Sequence, residues 1–213
     1  VMILERSGRQ TAARAGKLYG VGIGPGDPKL ITLKAKEILD RVSTIFVPKS
    51  SEDGISLARS IVEAVTEKEK RFVEITFPMT RDRAVLDRSW KEAAKRVAAV
   101  AEHEEAAFVT IGDPFIYSTY VYLLKMLRKY HGKVRVETIP GISAFNAAAS
   151  AAGLTLVEGN ERMAVVPVKK NMEGVRDALL TFDTVVLMKV GSKLGQVTEL
   201  LKELDLIKRA VLI

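Results

Sequence analysis

The chain of 213 residues contains no cysteine, which excludes disulfide bridges and thiolate metal sites. It has only two histidines, His103 and His131, and both lie among charged or helix-end residues. We therefore expect these histidines to face solvent rather than to bind a metal or act as bases. No apolar run approaches the roughly 20 residues that a membrane-spanning helix needs. The sequence thus predicts neither a metal site nor a membrane partner.

Aromatic residues are also scarce, at 6% of the chain, whereas the net charge is +7. A positive charge favours anionic partners, either nucleic acid or a polycarboxylate. The basic residues look scattered along the sequence, and few aromatic residues accompany them, which weakens the nucleic-acid interpretation. We predict that nucleic acid is not a partner.

The pattern along the chain is an alternation of short apolar runs with amphipathic helical segments. Such an alternation predicts βα crossovers and a mostly parallel sheet with helices on both faces. Residues 1–16, with three arginines and little apolar periodicity, are predicted to be a flexible basic extension, because no apolar region typical of a signal peptide follows. The predicted strands of the first domain are residues 17–22, 44–47, 72–77, 106–111 and 134–139.

The pattern loosens beyond Gly153, and we place a domain change between about residues 140 and 158. The resulting domains are residues 17–145 and 146–213. Strands are predicted in the second domain at residues 163–168, 184–188 and 210–213, and helices at residues 177–182 and 193–204.

The most informative stretch is the end of the fourth predicted strand, where an apolar run stops at Gly112-Asp113-Pro114. Gly112 allows the backbone to turn and a ligand to approach closely. Asp113 puts a carboxylate at the carboxyl edge of the sheet, where open α/β sheets bind their ligands. An ordinary strand-to-helix turn is the alternative for this motif alone.

Two further loops follow predicted strands. Residues 22–27, with the sequence GIGPGD, have almost no side-chain bulk, and they match neither the dinucleotide fingerprint nor the Walker loop. In the stretch 140–144, Pro140-Gly141 makes a tight turn and Ser143 is positioned to cap the next helix.

In this order and spacing, the three loops resemble those of the tetrapyrrole methylases, a family of S-adenosylmethionine-dependent enzymes, over about residues 17–213. The stretches Val47-Pro48-Lys49, Phe77-Pro78-Met79 and Tyr117-Ser118-Thr119 resemble the branch that methylates C20 of precorrin-2 or cobalt-factor II in cobalamin biosynthesis.

The resemblance implies a two-domain α/β fold, with a mostly parallel N-terminal sheet, a smaller C-terminal domain with a mixed sheet, and a cleft between the domains. It also implies a cytoplasmic homodimer that binds S-adenosylmethionine in the cleft and releases S-adenosylhomocysteine. The cofactor-binding residues that it implies are Pro25, Gly112, Asp113, Ile116, Ser143, Ala144 and Met188.

The implied substrate is a tetrapyrrole whose carboxylates need cationic partners. Lys49 is our candidate for one of these contacts, and a solvated lysine is the alternative. Tyr117 is our candidate catalytic residue, for positioning the substrate or handling the C20 proton, and a packed aromatic ring at the helix start is the alternative. Any cobalt would belong to the substrate. The substrate-binding residues that we predict are Gly24, Gly26, Asp27, Lys49, Tyr117, Ser118 and Thr119.

The sequence departs from the resemblance in two places. Uroporphyrinogen methylases carry an acidic residue where Pro48 stands, so a base at that position is absent. The chain also stops at Ile213, inside what resembles the last part of the second domain. Members of the family usually continue with a further strand and cofactor contacts, so the second domain is predicted to lack its last strands.

Two alternatives stay open for the function. One is an enzyme of the same fold that acts on uroporphyrinogen III, on a ribosomal RNA ribose or on the diphthine precursor. The other is a non-catalytic RNA-binding module, which predicts salt-sensitive RNA binding and no affinity for the cofactor.

Overall fold

The computed structural model describes residues 16–49, 56–80 and 82–213. The chain divides into two compact units whose boundary falls between Ala144 and Phe145, and each unit is described by itself. Apart from Gly16, the predicted basic extension at residues 1–16 lies outside the described residues. The division into domains 17–145 and 146–213 remains a prediction.

The described residues of the first unit form a sheet of five parallel strands in the order β3-β2-β4-β1-β5. The predicted parallel α/β fold is therefore confirmed. The outer strands β3 and β5 each pair with one neighbour. The strands are β1 (Lys17–Gly22), β2 (Thr44–Lys49), β3 (Arg71–Thr76), β4 (Glu105–Thr110) and β5 (Val136–Ile139).

In the described part of this unit, four helices cover the two faces of the sheet: α1 (Leu33–Arg41), α2 (Leu57–Val65), α3 (Arg83–Ala101) and α4 (Tyr120–Tyr130). Side chains alternate along β1, so Leu18 packs in the apolar cluster with α3 and α4, whereas Tyr19 packs in the one with α1 and α2. The helices that follow β1 and β4 therefore lie on opposite faces, although the two strands are neighbours. In open α/β sheets, ligands bind at the carboxyl ends of strands where the helices change face in this way.

The start of α1 shows how local sequence sets an element. Threonine favours the N-cap position, so the sequence predicts a helix start at Thr32. Thr32 adopts an extended conformation, and its Oγ1 accepts a hydrogen bond from the Ala35 amide at 3.2 Å, which is the N-cap geometry. Ala35, Ile38 and Leu39 then recur at helical spacing and are buried against the sheet.

The basic residues of the first unit are not scattered, which corrects the prediction from the sequence. Helices α3 and α4 carry eight basic and two acidic side chains, a net charge of +6, whereas α1 and α2 carry four basic and three acidic side chains, a net charge of +1. The linear sequence hides this difference because α3 and α4 are separated along the chain by β4 and its loop.

The second unit contains two parallel strands, β6 (Met163–Pro167) and β7 (Thr184–Met188). The sheet is small, as expected, but its described pairing is parallel rather than mixed. Helix α5 begins at the unit boundary, and α6 and α7 follow the two strands. The helices are α5 (Ala144–Ala152), α6 (Glu173–Thr181) and α7 (Leu194–Glu203).

The strand predicted at residues 210–213 is wrong. These residues follow a 3₁₀ turn at Ile207–Arg209 and pair with no strand among the described residues, and Val211, Leu212 and Ile213 are all exposed. Apolar β-branched residues favour a strand, but a strand also needs a neighbour to accept its hydrogen bonds. Within the described ranges, no helix has the length and apolar character needed to cross a membrane.

Candidate functional site

Three loops meet at the carboxyl edge of the sheet, after the adjacent strands β4, β1 and β5. We name them the first loop (residues 23–27, after β1), the second loop (residues 111–119, after β4) and the third loop (residues 140–143, after β5). An antiparallel bridge joins Gly24 to Gly112, and the Gly112 amide donates to the Gly24 carbonyl at 2.6 Å. The Ile23 amide also donates to the Thr110 carbonyl at 3.0 Å. The second loop is therefore part of a multi-loop junction and not an isolated strand-to-helix turn.

Glycine is required where the backbones of the three loops touch. A Cβ atom on Gly22 would lie 2.6 Å from the Gly141 amide nitrogen and 2.7 Å from the Gly112 carbonyl oxygen. A Cβ atom on Gly141 would be even closer to that carbonyl oxygen. Gly112 has a φ of +73°, a conformation that favours glycine. The glycines noted in the sequence thus allow close contact between the loops.

The carboxylate of Asp113 links the second and third loops. Its Oδ1 accepts a hydrogen bond from the Phe115 amide at 2.9 Å, and its Oδ2 accepts one from the Gly141 amide at 3.1 Å. Each carboxylate oxygen therefore has a backbone donor within the protein. Direct contact of Asp113 with the cofactor remains a prediction, whereas its part in the loop junction is a structural observation.

The second loop places an aromatic side chain in an unusual backbone conformation. Tyr117 has a φ of +50° and a side chain that is 42% exposed. Such a φ is uncommon for a bulky residue and costs on the order of 1–3 kcal/mol, so the surrounding structure must impose it. This position of Tyr117 at the carboxyl edge is compatible with the predicted catalytic role but does not test it.

The hydroxyl of Ser118 provides part of that restraint. It hydrogen-bonds the Thr110 hydroxyl at 2.8 Å and accepts a bond from the Tyr120 amide at 3.1 Å. Ser118 is buried, so its hydroxyl is used inside the protein. Thr119 directly precedes α4 but makes no side-chain cap bond. Contacts of these two residues with substrate remain predictions.

Sequence reasoning missed two exposed apolar residues of the second loop. Ile111 was assigned to a buried strand, but β4 ends at Thr110 and Ile111 is 40% exposed. Phe115 is 57% exposed. Together with Ile116 and Tyr117 they give this loop an apolar surface beside the glycine junction. The signal that was available is the apolar run Phe115-Ile116-Tyr117, which follows a turn and precedes the helix.

The hydroxyl of Tyr120 is not available as a base beneath this loop. Tyr120 is fully buried, and its hydroxyl lies 2.6 Å from the Thr138 hydroxyl. Burial raises the pKa of the phenol, so Tyr120 stays neutral at physiological pH. A Cβ atom on Gly20 would overlap the Tyr120 ring, which explains the glycine inside β1.

Lys49 ends β2 at the same edge of the sheet. Its ammonium forms a salt bridge with Glu74 of β3 at 2.9 Å, and its side chain is only 17% exposed. The alternative of a solvated lysine is therefore wrong. Pro48 is tolerated in this strand because β2 pairs with β4 only as far as Phe46, so its missing amide leaves no β4 carbonyl without a partner.

The remaining predicted residues divide between the units. Asp27 accepts a hydrogen bond from the Lys29 amide at 2.9 Å and caps a short 3₁₀ turn after the first loop. Ser143 is buried immediately before α5, and Ala144 begins that helix. Met188 ends β7 in the second unit, and its carbonyl accepts a bond from the Val168 amide at 2.8 Å. The described residues hold no group of three or more acidic or histidine side chains suited to a metal ion.

Comparisons with known proteins agree with these features. The family model described as Tetrapyrrole (Corrin/Porphyrin) Methylases matches residues 17–213. The probable cobalt-precorrin-2 C(20)-methyltransferase of Methanocaldococcus jannaschii is 40% identical, over 91% of this chain and 83% of the relative. The cobalt-precorrin-2 C(20)-methyltransferase of Salmonella typhimurium is 31% identical, over 92% of this chain and 82% of the relative.

Solved structures show the same fold. A cobalt precorrin-4 methyltransferase has a TM-score of 0.64 at 20% identity, over 88% of this chain and 74% of its own. The uroporphyrin-III C-methyltransferase of Thermus thermophilus, complexed with S-adenosylhomocysteine, has a TM-score of 0.58 at 24% identity, over 88% of this chain and 76% of its own. The chain therefore belongs to the tetrapyrrole (corrin/porphyrin) methylase family, as the three loops predicted.

Proposed function

We propose that this protein transfers a methyl group from S-adenosylmethionine to C20 of precorrin-2 or cobalt-factor II. The observation that carries the proposal is the agreement of relatives named for C(20) methylation at 40% and 31% identity, each over more than 90% of this chain. A third relative, from a Sinorhizobium species, is named precorrin-2 C(20)-methyltransferase and is 31% identical over 92% of this chain. Two of these names specify the cobalt form and the third the metal-free form, so both substrates belong to the proposal.

Open space beside two glycines of the loop junction supports a cofactor contact there. Gly26 and Gly112 have φ values of +146° and +73°, and a Cβ atom on either would meet nothing within 4 Å. Ligand atoms can therefore approach the backbone of the first and second loops closely. We propose that Pro25, Gly112, Ile116, Ser143 and Ala144 contact the cofactor from the first unit. Met188, at the end of β7, stays a predicted cofactor contact.

Asp113 is part of the proposed cofactor site through the backbone that it holds. Its two hydrogen bonds fix the Phe115 and Gly141 amides, and hence the shape of the second and third loops. A preorganised backbone lowers the entropic cost of binding because the loops do not have to be ordered by the ligand. Asp113 also places a negative charge near a cofactor that is cationic at sulfur.

Bound S-adenosylmethionine supplies an activated methyl group, so the protein needs neither a metal nor a covalent intermediate. The protein's contribution is to hold the acceptor carbon in line with this methyl group, and such positioning can account for roughly 7–11 kcal/mol of the barrier. The exposed apolar side chains of the second loop, Phe115 and Ile116, offer a surface for a macrocycle. Tyr117 is our proposed residue for positioning C20 or accepting its proton.

Lys49 is proposed to bind a carboxylate of the substrate. Its ammonium is already paired with Glu74, so binding requires Lys49 either to exchange this partner or to contact both carboxylates. A lysine has three donors and can do the latter. The first-loop residues Gly24, Gly26 and Asp27 lie at the same edge and are proposed to contact the substrate through their backbone.

The direct test is to incubate the protein with S-adenosylmethionine and either precorrin-2 or cobalt-factor II and to analyse the products by mass spectrometry. We expect one added methyl group per macrocycle, located at C20 by NMR of the product. Uroporphyrinogen III is the matched control substrate. Methylation of uroporphyrinogen III, with neither C20 substrate turned over, would refute the proposal.

We also propose a cytoplasmic homodimer, supported by the resemblance to the family. A mass near 23.4 kDa, that of one chain, measured by light scattering at micromolar concentration would contradict the dimer. Fractionation of the source cells tests the location.

A further inference from the structure

The layer formed by α3 and α4 carries almost the whole net charge of the chain. These helices contribute +6 of a total of +7. Seven of their eight basic side chains are exposed and make no salt bridge within the described part of the chain. These seven, which we call the basic face, are Arg88, Lys91, Lys95, Arg96, Lys125, Arg128 and Lys129.

The opposite helical layer shows that this lack of pairing is local. Every basic side chain of α1 and α2 has a carboxylate within salt-bridge distance. Two of the pairs lie within one helix and two reach the sheet. The pairs are Lys34–Glu137, Lys36–Asp40, Arg41–Glu105 and Arg59–Glu63. On α3 the described ion pair is Arg83–Asp87, at 3.4 Å. Glu92 lies one turn from both Arg88 and Arg96 and offsets part of their charge, but the two helices together keep a net charge of +6.

Aromatic rings support several of these cations instead. The ammonium groups of Lys91 and Lys129 lie 4.9 Å and 5.0 Å from the centre of the Tyr130 ring, and that of Lys125 lies 5.9 Å from the centre of the Tyr122 ring. Tyr122 also stacks on Trp90 at 4.2 Å. A cation–π contact holds an ammonium in place without neutralising its charge.

The aromatic contacts also indicate which class of anionic ligand the basic face suits. A single-stranded nucleic acid needs free aromatic faces on which to stack its bases. One face of Tyr122 is covered by Trp90, and Tyr130 has two lysines against its ring. Tyr122 and Tyr130 are 40% and 45% exposed, but their rings are partly covered by these neighbours. The basic face therefore offers much charge and little free ring surface, which suits a small polycarboxylate better than a polynucleotide.

The basic face lies on the two helices that start at the carboxyl edge of the sheet, and Arg88 and Lys125 are its members nearest the starts of α3 and α4. Helix α4 begins directly after the second loop, and α3 runs down the same side of the sheet beside it. We propose that the basic face steers the anionic tetrapyrrole towards the carboxyl edge of the sheet. This inference rests on the proposed function, since it takes the substrate to be a polycarboxylate. A one-sign surface next to a binding site raises the local concentration and the association rate of an oppositely charged ligand.

Salt should remove this effect in a predictable way. Helix α3 has 19 residues and so extends over about 28 Å. The Debye length is about 30 Å at 0.01 M salt but only about 8 Å at 0.15 M. At low salt the whole basic face acts on the approaching ligand, whereas at high salt only the nearest charges do.

The test compares wild type with the triple variant Lys91→Gln, Lys95→Gln, Lys125→Gln, which removes three charges and keeps side-chain length and helix propensity. Each protein is saturated with S-adenosylhomocysteine, so that no methyl transfer follows, and mixed with precorrin-2 or cobalt-factor II in a stopped-flow spectrometer. We expect association to be about 3–10-fold slower at 0.01 M salt and equal to wild type within error at 0.3 M. The dissociation rate should not change.

The matched control is the triple Lys→Arg variant at the same positions, which keeps the charge and should keep the wild-type rate and salt dependence. Equal association rates for wild type and the Gln variant at 0.01 M salt would overturn steering. A slow rate in the Arg variant as well would also overturn it, since charge would not be the cause. Absence of binding of either tetrapyrrole by wild type would overturn the proposed function, and steering with it. If wild type methylates its substrate but wild type and the Gln variant have equal association rates at 0.01 M salt, steering is overturned and the proposed function stands.

Discussion

The substitution Asp113→Asn separates the two hydrogen bonds that this carboxylate makes. In the wild-type protein the Phe115 amide lies 2.9 Å from Oδ1 of Asp113. Asn keeps one carbonyl oxygen, which can still accept this hydrogen bond. Its NH₂ group would face the Gly141 amide in place of Oδ2, and two donors cannot bond. The variant should therefore keep the turn within the second loop and lose the link to the third loop.

The size of the effect follows from the chemistry of the lost bond. A hydrogen bond to a charged acceptor contributes about 1.5–3 kcal/mol, and the partial exposure of Asp113 favours the lower end. If the third loop must be in place for the cofactor to bind, a loss of about 1.5 kcal/mol raises the dissociation constant of the cofactor roughly tenfold. Asp113→Ala loses both bonds, so we expect about twice that free energy.

Calorimetric titration with S-adenosylhomocysteine measures the cofactor affinity of these variants, and denaturant unfolding measures their stability. Asp82→Asn is the matched control, because Asp82 caps α3 through the Ala84 and Val85 amides and Asn caps helices equally well. We expect wild-type affinity for this control. If Asp113→Asn lowered stability but bound the cofactor as wild type does, the link to Gly141 would be structural only. If neither quantity changed, the hydrogen bond itself would be refuted.

Four further predictions test other parts of the site. Lys49→Ala should lower kcat/KM for the tetrapyrrole by a factor that corresponds to about 1.5–3 kcal/mol and leave cofactor affinity unchanged; wild-type steady-state kinetics would exclude the contact. Gly141→Ala should cost about 1–3 kcal/mol of unfolding free energy and weaken cofactor binding, whereas Gly132→Ala, where a Cβ meets nothing within 4 Å, should do neither. Tyr117→Phe should lower kcat by about 10²–10⁴-fold if the phenol handles the proton, and a kcat near wild type would leave Tyr117 a packing role. The hydrogen bond from Lys17, followed by the one from Lys34, lowers the pKa of Glu137 to about 2. The ionised carboxylate should therefore contribute fully to stability above about pH 4.5, and this contribution should be lost as the pH falls towards 2. Acid unfolding of Glu137→Gln should show a flatter dependence of stability on pH in this range.

The sequence by itself determined the elements of the first unit and the loops that follow them. Apolar runs bounded by Gly and Pro located all five strands to within two residues at each end, because burial on both faces demands continuous apolar residues. Thr32 indicated the start of α1 because its side chain caps the helix by accepting a hydrogen bond from an amide only three residues away. The glycine motifs indicated close backbone contact and the family, since only glycine tolerates both the conformation and the proximity.

Tertiary structure decided what depends on residues that are distant along the chain. It gave Asp113 a partner 28 residues away in Gly141, and it paired Lys49 with Glu74, which lies 25 residues further on. It brought the charges of α3 and α4 into one layer, although the sequence separates them. Among the described residues, it left 210–213 without the neighbouring strand that their composition favours. Local patterns fix an element because its own hydrogen bonds and burial are periodic, whereas partners across loops and layers follow from the order of the strands, which no local pattern contains.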